Sequence, residues 1–259
     1  MIPKVIHYCW FGGAEKPALA KKCIESWRRF LPVYEIKEWN EANYDVHKIP
    51  YTSQAYNNRK YAFVSDYARF DILYTYGGLY FDTDVEIIKP LDEILEQGAF
   101  MGMEKDPDFK LRSPSAINPG LGLAVAPGLG LYKEILELYK GLLFLNEDGS
   151  MNQTTVVTYI TNFLLKKGWN PVLGINNFQG IKIYPSSYFN PKRMTGEIVL
   201  TPNTYTIHHF AASWYSPKQR IVQWIVHHIG VFPARVIGLF LRNPFKIPRR
   251  VWDFLKGRG

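Results

Sequence analysis

The densest chemical signal in the chain is Leu79-Tyr80-Phe81-Asp82-Thr83-Asp84. Two acids separated by one residue follow a short apolar run and a double glycine, Gly77-Gly78. In an extended chain, residues i and i+2 point to the same side, so both carboxylates could converge at the tip of a strand. The C-terminal ends of strands are where open α/β sheets bind ligands. Carboxylates held that close repel unless a cation or hydroxyl groups lie between them. Hard oxygen donors suit Mg²⁺ or Mn²⁺, which usually also hold substrate phosphates. An Asp-x-Asp alone is a common loop sequence, so its neighbours decide its meaning. Upstream stands Ser65-Asp66-Tyr67-Ala68-Arg69. Asp66 and Arg69 are three apart and share a helix face. They make either a surface ion pair or a pair facing a ligand. In the second case Arg forks hydroxyls or phosphate, and Asp accepts from hydroxyls.

These groups need a scaffold. Residues 4–10 read as a buried strand ending at Gly12-Gly13, 17–30 as a helix and 34–39 as a strand. Residues 61–76 have helical spacing, with Val64, Ala68 and Ile72 on one face and a glycine stop. Short strands are expected at 79–81, 85–88, 99–104, 121–126, 182–184 and 205–208, and helices at 129–143 and 153–167. Alternating strands and helices predict an α/β domain with a mainly parallel sheet covered on both faces.

Composition bounds the function. At 259 residues, 47% hydrophobic and 21% charged, the chain is neither disordered nor a disulfide scaffold. Its two cysteines, Cys9 and Cys23, are expected to be unpaired, because the N-terminus lacks the basic start and cleavage site of a secretory signal. No stretch offers the ~20 apolar residues of a spanning helix. The net charge of +8 is concentrated at one end: residues 218–259 carry nine Lys and Arg against the single acid Asp253. The same segment is rich in large apolar residues, and Pro233, Pro244 and Pro248 cut it into short helical pieces. Basic amphipathic helices with Trp and Phe suit the plane of an anionic membrane surface. The alternative is a terminal helix packed on its own domain. Nucleic acid is not expected as a partner, since no reading motif is present. The organisation expected is therefore a catalytic domain over 1–217 and a membrane-associating amphipathic helical tail over 218–259.

The run S-D-x-x-R followed by G-G-x-Y-x-D-x-D resembles the glycosyltransferase family with a DXD sugar-binding motif. That family includes capsular polysaccharide transferases and fungal initiating mannosyltransferases, and is related to the glucosyltransferase domains of clostridial toxins. The opening segment, residues 2–13, is similar to the family's first strand. His208-His209-Phe210-Ala211-Ala212-Ser213-Trp214 is more loosely similar to its closing element. The resemblance implies a GT-A fold, a nucleotide-binding Rossmann-like sandwich. It also implies Mn²⁺- or Mg²⁺-dependent transfer of a hexose from a nucleotide sugar with retention of configuration. By the same resemblance Trp10 stacks on the nucleobase, and Asp66 and Arg69 contact the hexose. Asp82 touches ribose, sugar and metal, and Asp84 ligates the metal. Ser213 and Trp214 close over the diphosphate. His209 is taken as a further metal ligand, being five residues before Trp214, with His208 as the alternative. The donors expected first are UDP-glucose and UDP-galactose, then GDP-mannose. The acceptor expected is lipid-linked or a growing oligosaccharide, at the cytoplasmic face of the cell membrane, in capsule or surface polysaccharide synthesis. Two other readings stay open: a phosphatase with an aspartyl nucleophile, and a non-catalytic membrane-surface binding protein.

Overall fold

The computed structural model describes residues 1–110, 114–192 and 196–211. Ser213, Trp214 and the basic segment 218–259 lie outside the described residues, as does the boundary expected at 217. The elements run β1 (Val5–Cys9), α1 (Ala18–Phe30), β2 (Glu35–Trp39), α2 (Pro50–Asn57), α3 (Tyr61–Tyr76), β3 (Gly78–Tyr80), β4 (Val85–Ile87), α4 (Asp92–Glu96), β5 (Phe100–Lys105), β6 (Ala116–Ile117), β7 (Leu123–Val125), α5 (Gly130–Lys140), α6 (Val156–Lys166), β8 (Asn176–Phe178), β9 (Ile181–Tyr184), α7 (Ser186–Phe189) and β10 (Thr206–His208). All but α2, α4, α7, β6 and β8 were expected from residue patterns. The larger compact unit comprises Met1–Pro191 with Val199–Phe210. In the described part of the smaller unit, Lys192 and Ile198 form an antiparallel bridge.

The architecture is mixed α/β. The central sheet has the order β2-β1-β3-β7-β5-β9-β8, with β6 paired to β5. β1 runs parallel to β2 and β3. β7 lies antiparallel between β3 and β5, so the sheet is not parallel throughout. Because β7 opposes both neighbours, β3 and β5 run in the same direction, and their C-terminal ends share one edge. A separate two-stranded ribbon pairs β4 with β10, setting Val85 opposite His208.

Strand alternation divides the core into two. Cys9, Tyr80 and Met101 face one side, where they pack with α3, α5 and α6 residues such as Phe70, Tyr132 and Ile160. Tyr8, Leu79, Phe81 and Phe100 face the other, with Ile24 and Trp27 of α1 and Val85 and Ile87 of the ribbon. Buried residues of α1 fall at Ala20, Cys23, Ile24 and Trp27, the spacing of a one-faced helix. Ten residues of α3, including Asp66, Arg69 and Asp71, are buried, so this helix has core on most of its circumference and carries charge into it. The double glycine does more than end α3. A Cβ at Gly78, whose φ is +98°, would lie 2.6 Å from the Val5 carbonyl, so only glycine lets β3 sit this close to β1.

Candidate functional site

On the α3 side, Arg69 ties the expected acids together. Its Nη2 lies 3.0 Å from Asp66 Oδ1 and 3.3 Å from Asp82 Oδ1. Its Nε–H donates to the Ser65 carbonyl at 3.0 Å, and its guanidinium sits 5.0 Å from the centre of the Tyr80 ring. The Tyr80 hydroxyl donates to Asp82 Oδ1 at 3.0 Å. Arg69 is only 3% exposed and Asp66 7%, so this is a core ion-pair network rather than a surface pair. Burial pushes the Asp66 carboxyl up to about 7, and the nearby Asp82 adds to it. Arg69 and the Val156 backbone N–H at the start of α6 pull the other way. Cys9 lies beside Ser65 and Tyr80, where burial raises its thiol to about 12 and keeps it protonated.

The ribbon supplies the other half. Asp82 and Asp84 converge through a turn rather than an extended segment: the Val85 N–H donates to the Asp82 carbonyl at 3.0 Å. Pairing of β10 with β4 then brings in His208, whose Nε2 is 3.1 Å from Asp84 Oδ1. Asp82, Asp84 and His208 each offer a ligand atom, all within 4.8 Å of one another. Two carboxylate oxygens and an imidazole nitrogen could hold a divalent cation, which would relieve the repulsion of the two acids. Burial alone would lower the His208 pKa. Asp84, with Asp82 and Glu104 behind it, outweighs burial and raises it.

Sequence reading preferred His209 to His208 as the third ligand. The structure places the neighbouring rings differently. His208 joins the two acids, whereas His209 donates through Nε2 to Glu86 Oε2 at 2.8 Å, the oxygen that Lys22 also meets at 2.9 Å. The His209 N–H donates to the Asp84 carbonyl at 2.9 Å, so His209 secures the turn beneath the acid. Successive residues of a strand face opposite sides, and only the ribbon register decides which faces the acids.

Trp10 follows β1, beside β3, and so stands at the same edge of the sheet. Its Nε1–H donates to the Ala14 carbonyl at 2.6 Å, and Lys16 Nζ is 5.8 Å from its ring. The ring is half-buried. One contributor carries no chemical signal in the sequence: Gly120 backs Asp82 directly. The Gly120 carbonyl accepts from the Asp82 N–H at 3.1 Å, and a Cβ on Gly120 would stand 2.0 Å from Asp82 Oδ2. The Asn118 Oδ1 accepts from the Gly120 N–H at 2.8 Å and fixes this approach.

Residues 17–101 match the glycosyltransferase sugar-binding region containing DXD motif. The resemblance read from the sequence is thus shown over that segment, which carries Asp66, Arg69, Asp82 and Asp84. Two proteins of Schizosaccharomyces pombe align with the chain. Inositol phosphoceramide mannosyltransferase 1 is 31% identical over 117 residues, 41% of this chain and 35% of that protein. Inositol phosphoceramide mannosyltransferase 3 is 33% identical over 111 residues, 39% of this chain and 29% of that protein. The chain therefore spans about a third of the length of the curated relatives it matches. Among solved structures, PaToxG glycosyltransferase aligns at 18% identity and a TM-score of 0.45, over 64% of this chain and 70% of that one. A glycosyltransferase involved in the glycosylation of the major capsid of PBCV-1 aligns at 12% identity and a TM-score of 0.46, over 81% and 95%.

Proposed function

We propose that the protein is a metal-dependent glycosyltransferase of GT-A type that moves a hexose from a nucleotide sugar to a saccharide or lipid-headgroup acceptor. The observation that carries this reading is the convergence of Asp82, Asp84 and His208 at the edge of the sheet, inside the segment that matches a DXD sugar-binding region. Asp84 and His208 would hold a divalent ion, and Asp82 would share it while its other contacts anchor it to Tyr80 and Arg69. Bound there, the ion supplies charge stabilisation for the departing diphosphate. The chain's own residues do the rest. Arg69 offsets carboxylate charge that burial would otherwise make costly. Gly120 and Asn118 fix the direction of Asp82. Trp10 offers an aromatic face for a nucleobase at the neighbouring strand end.

Retention of configuration belongs to the same proposal, by a front-face route in which the leaving phosphate helps to deprotonate the acceptor. UDP-glucose and UDP-galactose stay in the donor panel. The names of the fungal relatives favour testing a mannosyl donor first and a lipid headgroup as acceptor. A role in capsule or surface polysaccharide synthesis, and attachment of the basic segment 218–259 to the cytoplasmic face of a membrane, complete the proposal. Among the described residues, no helix is long and apolar enough to cross a membrane.

Isothermal titration with Mn²⁺ and a panel of UDP- and GDP-sugars, coupled to a donor hydrolysis assay, tests the reading. The expected result is metal-dependent nucleotide binding and slow hydrolysis of one sugar. Phosphate release indifferent to the base would favour the phosphatase reading. Absence of both binding and turnover would favour a binding protein.

A further inference from the structure

Glu104 stands near the end of β5, which runs in the same direction as β3, so it reaches the edge of the sheet that carries Asp82. Along β5, Phe100 and Gly102 share a face, and the pairing with β6 shifts register at Glu104. Phe100 packs in the core beneath the β4–β10 ribbon, and a Cβ on Gly102 would meet Phe189 and Leu121 of that same core. The Phe189 carbonyl, one residue before Asn190, accepts from Thr206 Oγ1 of β10 at 3.2 Å, so the end of β5 that Asn190 holds borders the ribbon.

Its position is fixed from two directions. The Asn118 Nδ2–H donates to Glu104 Oε2 at 2.7 Å, and the Asn190 Nδ2–H donates to the Glu104 carbonyl at 3.0 Å. Asn118 is the residue whose Oδ1 holds Gly120 against Asp82. One chain of contacts, Asp82–Gly120–Asn118–Glu104, thus links a candidate metal ligand to a second carboxylate. That carboxylate is only half-buried and keeps acceptor capacity beyond the one bond from Asn118.

A carboxylate in this place repels phosphate and accepts from hydroxyls. Asp82, Asp84 and His208 would hold a cation that neutralises the donor diphosphate, and the sugar would then lie one bond beyond that diphosphate. We propose that Glu104 accepts a hydrogen bond from a hydroxyl of the transferred sugar and so helps to select the donor. This rests on the transferase reading above. It adds a sugar contact on the ribbon side, opposite the α3 side that holds Asp66 and Arg69.

Glu104→Gln is the direct test. The amide oxygen still accepts from Asn118, while the charge and the second acceptor are lost. Affinities for the sugar-free nucleoside diphosphate and for the corresponding nucleotide sugar are measured by titration calorimetry with Mn²⁺, using the donor that the wild-type protein hydrolyses. The variant should keep nucleoside diphosphate affinity within twofold and lose at least tenfold for the nucleotide sugar, with altered discrimination between epimeric sugars. Glu104→Asp, which retains the charge but withdraws it by one methylene, should lose less. Equal weakening toward both ligands would make Glu104 a support of the fold or the metal, and no weakening would deny it any contact; either result overturns the proposal. Wild-type protein that binds neither ligand would instead overturn the transferase reading, and this inference with it.

Discussion

On the α3 side of the site, Asp66, Arg69 and Tyr80 are sealed in the core, and the nearby Asp82, its side chain 30% exposed, opens from them toward the ribbon. Arg69 is 3% exposed and bonded to both acids. On the ribbon side, His208 reaches Asp84 from far along the chain, and the ribbon is fastened beside it by Lys22, Glu86 and His209. These last pairs are more open to water: the Lys22 side chain is 62% exposed. One half of the site is fixed by buried charge, the other by strand pairing. Removing a group from the first should therefore damage the fold, and removing one from the second should damage metal binding with the fold intact.

The sharpest way to break this contrast is Arg69→Met. It strands Asp66 and Asp82 as partly buried carboxylates and should cost about 3–5 kcal/mol of stability, read from the urea midpoint; a loss below about 1 kcal/mol would mean that the network is not structural. Asp84→Ala should lower donor hydrolysis by about 10²–10³-fold, with loss of Mn²⁺ binding in calorimetry, and at pH 8 should shift the midpoint less than Arg69→Met does.

Acid sharpens the comparison further, because two buried histidines respond in opposite directions. His7 accepts at Nδ1 from Trp39 Nε1–H at 3.0 Å and donates through Nε2 to the Gly77 carbonyl at 3.0 Å, which fixes it neutral behind the α3–β3 turn. Burial lowers its pKa from 6.5 to about 4. The unfolded chain takes up this proton first, so stability is full above about pH 6.5, falls by about 3 kcal/mol toward pH 4 and levels off below. His208 in the metal-free protein works the other way. Its raised pKa contributes stability below its unfolded value, and that contribution is lost as pH rises through the folded one. Urea midpoints measured between pH 8 and pH 4 should show the His7 loss, and His7→Gln should flatten it.

Smaller again is the difference between the adjacent histidines. His208→Ala should weaken Mn²⁺ binding by about tenfold or more, whereas His209→Ala should stay within about threefold. Equal effects would mean that the ribbon register does not choose the ligand. Glu86→Gln should change stability by less than about 1 kcal/mol, since its partners are partly solvated.

Local pattern made much of this visible. The spacing of apolar residues gave α1, α3, α5 and α6, and Asp66 with Arg69 could be read as a helix-face pair. The burial of that pair could not. It follows from α3 having core on most of its circumference, which no single-helix period reveals. The mainly parallel sheet expected from alternation is present, with β1, β2, β3, β5 and β9 running one way; the antiparallel place of β7 was not legible, because a three-residue strand carries no mark of its direction. Gly120 could be seen as a turn residue, but its need to lack a Cβ arises only when Asp82 arrives beside it.

The chain alone determined the identity and spacing of the acids, and that Asp66 and Arg69, three apart on a helix, share a face. That relation depends only on the helical period, which residue types impose locally, whereas Asp82 and Asp84 meet through a turn. The tertiary structure decided which histidine lies against Asp84, that Glu104 of β5 meets Asn118, and that Arg69 binds acids on two elements. Those depend on strand register and on layers meeting across the core, where a shift of one residue turns every side chain to the opposite face.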